Sequence, residues 1–217
     1  MALVDLRPLP VRLDPVRRIP QLVLGLVLYG TSMAMVLRGG LGLDPWDVLH
    51  EGITRHTPLS FGLVTALTGL AVLLLWIPLR QRPGLGTVMN VLVIAVSVDV
   101  ALVLIPEPAG LPARIALMTG GIVLNGVASA AYIGTRLGPG PRDGLMTGLS
   151  ARTGWSLRLV RTGIEITVLA SGWLLGGTVG VGTVLYALAI GPLTQAFLPY
   201  FVVRERADVG AAPPARG

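Results

Sequence analysis

Cysteine and lysine are both absent from this chain of 217 residues, and charged residues make up only 13% of it. Without Cys there are no disulfides, no thiol catalysis and no thiolate metal site. Two histidines, His50 and His56, cannot build a zinc site by themselves, so neither a metal nor a cofactor is expected. A soluble domain carries about 25% charge, and half of that disfavours a soluble enzyme, a nucleic-acid binder or a disordered regulator. All 17 basic residues are Arg, giving a net charge of +6. They cluster between apolar runs instead of forming one basic stripe, so nucleic acid is not an expected partner. Neither a Walker sequence nor a zincin helix nor a G-x-S-x-G elbow is present, and no enzyme activity is expected. What the chain does have is 53% apolar residues and a mean hydropathy of +0.75. That composition specifies an all-α integral membrane protein whose first partner is the lipid bilayer.

A helix crossing about 30 Å of hydrocarbon needs about 20 mostly apolar residues. Six stretches qualify, at 19–37, 59–79, 84–105, 115–135, 155–175 and 179–201. The first is too long for a signal peptide and leads into further apolar sequence, so it is read as retained. With the N-terminus inside, every Arg except Arg38, Arg55 and Arg114 falls on the cytoplasmic side. This positive-inside bias predicts a multi-pass protein of the bacterial cytoplasmic (inner) membrane with both termini cytoplasmic. Residues 1–17 form a cytoplasmic lead without fixed structure, and 204–217, rich in Pro, Ala and Gly, a disordered cytoplasmic tail. Trp46, Trp76, Trp155 and Trp173 fall near span ends and fit an aromatic belt.

Segments 44–56 and 140–153 are too long for turns and have helical patterning. Twelve residues reach about 18 Å, so each is either a half-helix dipping into the bilayer or a short helix lying on its surface. Spanning would give eight crossings and weaken the Arg bias, so six is preferred.

Shifting the chain by 96 positions aligns 18–105 with 114–201 without a gap, and 27 of 88 positions are identical. The matches include Gly42/Gly138, Pro45/Pro141, Asp47/Asp143 and the runs Gly84-x-Gly86-Thr87-Val88 and Gly180-x-Gly182-Thr183-Val184. Low-complexity apolar sequence does not readily match Gly, Pro and Asp in one ungapped register, so the chain is an internal duplication. Its parts are repeat 1 (18–105), a linker (106–113) and repeat 2 (114–203). Three spans per repeat make the second copy enter from the opposite side, an inverted-topology repeat. Such proteins hold solute and ion sites where interrupted segments of the two halves meet. Here those segments are Leu41-Gly42-Leu43-Asp44-Pro45-Trp46-Asp47 and Leu137-Gly138-Pro139-Gly140-Pro141-Arg142-Asp143.

These paired segments, with Arg82-Pro83-Gly84-Leu85-Gly86-Thr87 and the run from Gly182 to Pro192, resemble the YczE/YitT-type family of bacterial multi-pass membrane proteins. The resemblance covers about residues 18 to 203. It implies a membrane protein and assigns no substrate and no site residue.

Several polar groups are candidates for chemistry. Pro45 and Pro141 occupy expected first helical positions, and Asp47 and Asp143 follow within the first turn. There they either complement the helix dipole or form a symmetry-related pair facing a cavity and binding a cation or proton. Arg158, Arg161 and Glu165 share one helix face. Glu165 lies deep in its span, where an ionisable group faces a cavity or a partner, and Arg161 is the expected partner. This is either a packing ion pair or a substrate or proton site. The equivalent residues in repeat 1 are Gly62, Thr65 and Gly69, so spans two and five are expected to face each other across the pseudo-two-fold. Asp99, matched by Gln195, is a further intramembrane acid, and Asn90 and Asn125 are read as interhelical hydrogen-bonding groups. His50 and Glu51 are expected to face solvent or headgroups.

The functional expectation is a small secondary transporter or permease-like protein. Its two repeats would alternate access for a small solute or ion around a midplane site. The alternative is a non-transporting scaffold or regulatory protein supporting a partner, which requires a tightly packed centre without a cavity.

Overall fold

Proline and serine start the helices of this chain. Pro15, Pro45, Pro112 and Pro141 each lie in a first turn, where the missing N–H is not needed. Ser60 and Ser156 accept the exposed amides of Leu63 and Leu159. The computed structural model describes residues 6–203, and among them are eight helices and no strand. They are α1 (Pro15–Gly39), α2 (Pro45–Thr54), α3 (Phe61–Leu79), α4 (Leu85–Leu104), α5 (Leu111–Gly134), α6 (Pro141–Thr153), α7 (Leu157–Leu174) and α8 (Val181–Phe201). Each of α1–α4 starts 96 residues before its counterpart in α5–α8, the spacing of the sequence repeat.

Five of these helices, α1, α3, α4, α5 and α8, are long and apolar enough to cross a membrane. They present leucine, isoleucine and valine outward along much of their length. Six such helices are expected from the sequence. The missing one is α7, whose 18 residues include Arg158, Arg161 and Glu165. The 44–56 and 140–153 segments are helices, and the first turns of both lie inside the protein: Trp46, Asp47, Val48 and Pro141 are buried.

The repeats are interlocked, not merely adjacent. α1 packs along α5 at the centre, where Gly25 lets α1 approach the Tyr132 backbone and Gly121 lets α5 approach Ser32. The short helices are exchanged, with α2 packing on α7 and α6 on α3. The matched sequence motifs are partners across the repeats. Leu41 O accepts from Gly182 N at 2.8 Å, and Leu137 O accepts from Gly86 N at 2.9 Å. Gly42 and Gly138 follow with φ of +119° and +132°, a conformation that strains any residue with a Cβ. A Cβ on Gly42 would also lie 2.7 Å from Gly180 N. Thus the Leu-Gly of one half holds the Gly-x-Gly-Thr helix start of the other.

A second reciprocal device uses arginine. Arg18 donates to Thr135 O (2.8 Å) and Arg136 O (3.2 Å), while Arg114 donates to Gly39 O (2.8 Å) and Gly40 O (2.6 Å). Arg18 and Arg114 are repeat equivalents, and each satisfies orphan carbonyls at the end of the other repeat's first helix. Arg18 and Arg136 are therefore buried, not at a headgroup surface as the Arg count assumes. The lead is ordered in its described part: Arg18 also bonds the carbonyls of Leu9, Pro10 and Leu13. Leu9 N reaches Arg136 O and Val203 N reaches Gly134 O, so both described ends meet at the end of α5. The expected disordered tail, 204–217, lies outside the described residues.

One relation breaks the pseudo-symmetry. α3 packs along α4, whereas α7 and α8 do not pack along each other.

Candidate functional site

The first turns of α2 and α6 come together at the middle of the molecule. Asp44 caps α2, its carboxylate accepting from Asp47 N at 2.9 Å. Asp47 Oδ1 lies 3.2 Å from His50 Nδ1, which is 3.3 Å from Thr65 Oγ1 on α3. From the opposite repeat, Arg142 of α6 reaches across. Its guanidinium nitrogens lie 3.7 Å from Asp44 Oδ1 and 3.8 Å from Asp47 Oδ1, beyond hydrogen-bond length. The same guanidinium sits 4.9 Å from the centroid of the Trp46 ring, within cation–π range. Trp46 and Arg142 are repeat equivalents, so this stack lies on the relation between the halves. Around it, Asp143 accepts from Tyr132 Oη at 3.3 Å, and Trp76 Nε1 donates to Pro141 O at 3.0 Å.

These groups border a cavity of about 330 Å³ to which all eight helices contribute. Asp44, Asp143 and Glu165 line it with Arg142 and Arg161, and Asp47 stands directly behind Asp44 and Arg142. Carboxylates outnumber guanidiniums, so the centre is formally acidic. Tyr29, Trp46, Tyr132 and Tyr186 add aromatic surface. Tyr186 is held by a bond to Asn125, which donates in turn to Ser32.

The sequence candidates divide. Asp47, Asp143, Arg161 and Glu165 are gathered at or against the cavity, with Pro45 and Pro141 on its wall and Gly42 and Gly138 in the latches outside it. Arg161 and Glu165 do not form the expected ion pair among the described residues. Asp99 is elsewhere: it accepts from Ser60 Oγ (2.6 Å) and Gly62 N (2.7 Å) and ties α3 to α4. Asn90 lines the cavity, and Asn125 bonds between helices as expected. Spans two and five, now α3 and α7, both line the cavity, α3 with Thr65 and Gly69 and α7 with Arg161 and Glu165.

Four residues require correction. Arg142 is a central group, not a cytoplasmic orientation signal; its side chain is 26% exposed and borders the cavity. His50, 2% exposed, faces neither solvent nor headgroups. Trp46 and Trp76 are buried, whereas Trp155 and Trp173 are exposed as a belt requires. Asp44 carried no prediction of its own. The signal for it was present: two acids flank Pro-Trp at a helix start, and the matching position to Trp46 in the other half is an Arg.

Known proteins place the chain. A model of DUF6198, described as a family of unknown function, matches residues 16–199. An uncharacterized protein of Haemophilus influenzae is 41% identical over 177 residues, covering 82% of this chain and 81% of its own. The uncharacterized membrane protein YczE of Bacillus subtilis is 33% identical over 199 residues, 88% of this chain and 93% of its own. YyaS of the same organism, also uncharacterized, is 25% identical over 183 residues, 81% and 90% of the two chains. No solved structure matches. With the YczE resemblance borne out and its long helices apolar on the outside, the chain is a membrane protein and belongs to the DUF6198 family.

Proposed function

We propose that this protein is a small secondary transporter of the bacterial cytoplasmic membrane, and not an enzyme. One observation carries the reading: a polar cavity joins the two repeats where the charged first turns of α2 and α6 meet. A scaffold needs a packed centre, and a charged cavity set against the buried Asp44 and Asp47 is costly for a protein with no ligand to place there. α7 crosses as the sixth span, with Arg161 and Glu165 at the cavity. With six crossings the repeats are inverted, and α2 and α6 are re-entrant half-helices whose first turns meet near the midplane. The shared location of the two described chain ends supports termini on one side, the cytoplasmic one by the Arg bias.

In this reading the acidic excess favours a cation, with Arg142 as the mobile counter-charge. Its loose pairing to Asp44 and Asp47 lets an entering cation compete for those carboxylates. The test is flux into proteoliposomes with and without a proton gradient. Gradient-dependent uptake of a cationic solute that falls in Glu165→Gln is expected; absence of flux over a broad panel of solutes overturns the reading.

A further inference from the structure

The two repeats treat the same helix pair differently, and the difference opens the cavity sideways. In repeat 1, Asp99 takes bonds from Ser60 Oγ and Gly62 N, and Gly62 sets α3 directly against the backbone of Ala95 on α4. The corresponding positions in repeat 2 are Gln195, Ser156, Arg158 and Gly191. Arg158 cannot make the close approach that Gly62 makes, and a Cβ on Gly191 would meet no atom within 4 Å. Arg161 on α7 and Gln195 on α8 both line the cavity and are both exposed at the surface. Asp143 on α6 lines the cavity and is exposed as well, so the cavity reaches the outside on the side of α6, α7 and α8. With α7 and α8 not packed along each other, part of that opening lies between them. Arg158 and Arg161 are exposed on α7, and elsewhere the outer surfaces of the two helices are apolar, with Ile166, Leu185 and Leu188 exposed.

We propose that the slot between α7 and α8 is a lateral entrance from the bilayer, and that the cavity binds an organic ammonium compound carrying an apolar chain. The head group enters the cavity while the chain stays in the slot against hydrocarbon. The cavity chemistry fits the head. Glu165, on the α7 side, has no ion pair or hydrogen bond among the described residues, which leaves a carboxylate for an ammonium. Tyr29, Trp46, Tyr132 and Tyr186 offer ring faces that attract a cation. The absent α7–α8 packing fits the chain, because an aqueous solute needs no opening onto an apolar surface. Transport of such a compound rests on the preceding proposal; binding does not.

The experiment is equilibrium binding of alkyltrimethylammonium ions to the purified chain in nanodiscs, read by tryptophan fluorescence, beside flux in proteoliposomes. Decyltrimethylammonium is expected to bind at least roughly tenfold tighter than tetramethylammonium. The double variant Arg158→Gly with Gln195→Asp restores the repeat 1 residues. Its new carboxylate at the cavity acts on both ions, so the readout is the ratio of their affinities in the same variant, which is expected to fall to about one. Absence of a chain-length preference overturns the proposal, as does a preference that a folded double variant keeps. Should the variant not fold, a decyl ammonium with a diazirine at its chain end is crosslinked to the wild-type chain. Labels on α7 and α8 support the entrance, and labels spread over the other helices overturn it. Binding with the full preference but no flux leaves the entrance standing and removes the transport reading; flux of tetramethylammonium without preference does the reverse.

Discussion

The α3–α4 seam and the α7–α8 slot occupy matching positions 96 residues apart in the sequence and end in opposite states. At the seam, a glycine and an aspartate do the closing: Gly62 removes the side chain that would hold the helices apart, and Asp99 satisfies the first-turn amide and the capping serine. At the slot, Arg158 and Gln195 occupy those positions, and the cap Ser156 still holds Leu159 N without reaching α8. The helix starts, the serine caps Ser60 and Ser156 and the glycines of the latches stay the same in both halves. Side-chain volume and charge at two or three positions decide whether a cavity is sealed or open, and the backbone plan tolerates either.

Substitutions that exchange the properties of the halves test this comparison. The largest effect is expected at the one place where the halves touch through unlike equivalents. Arg142→Leu leaves Asp44 and Asp47 buried without a counter-charge and should cost about 4 kcal/mol, whereas Trp46→Phe, which keeps a ring beneath the guanidinium but leaves a small cavity, should cost about 2 kcal/mol. Thermal unfolding in detergent, run on both, would break the assignment if the costs were equal. Next comes Gly62→Leu, which drives a side chain into the α4 backbone and should cost about 3 kcal/mol. Its counterpart change, Arg158→Leu, meets no such obstacle and should be tolerated. Third, Asp99→Ala strands two donors and should lower stability by about 2 kcal/mol, against less than about 0.5 kcal/mol for Gln195→Ala. Equal losses would mean that α7 and α8 are held together after all. The smallest free energy belongs to Glu165→Gln: no shift in melting temperature, and a loss of roughly tenfold in cation uptake, about 1.4 kcal/mol. A melting shift as large as that of Asp99→Ala would make Glu165 a packing residue.

Much of this arrangement was legible in the sequence because it rests on local grammar. Pro at a first turn, Gly where φ is positive and Ser at a cap act within a few residues, and an ungapped repeat shows each of them twice. The gathering of Asp47, Asp143, Arg161 and Glu165 followed from the same register. What could not be read was which partner each motif meets. Leu41-Gly42 and Gly180-x-Gly182 are far apart in the chain, and nothing local says that the bond crosses between halves. Arginine was the main source of error, because an Arg beside an apolar run looks the same whether it orients the chain, caps a distant helix as Arg18 does, or stands in the centre as Arg142 does. Trp46 misled for a related reason: burial of a tryptophan near a helix start depends on what packs over it, here α6 from the other repeat. The α7–α8 slot was half visible, since the charged stripe opposite a glycine stripe was evident, but its consequence for packing needed Asp99 to be seen bonding to Gly62.

The crossed latches also set an order of events during synthesis. The first turn of α4 is held by Leu137 O, a group that leaves the ribosome about fifty residues after that turn, several seconds later at ordinary translation speed. Until then repeat 1 has a completed sequence and an unfinished structure, with Gly84 to Thr87 waiting for a strip of chain not yet made. Chain growth and closure are thus coupled across the midpoint of the protein, and the first half matures only when the second arrives.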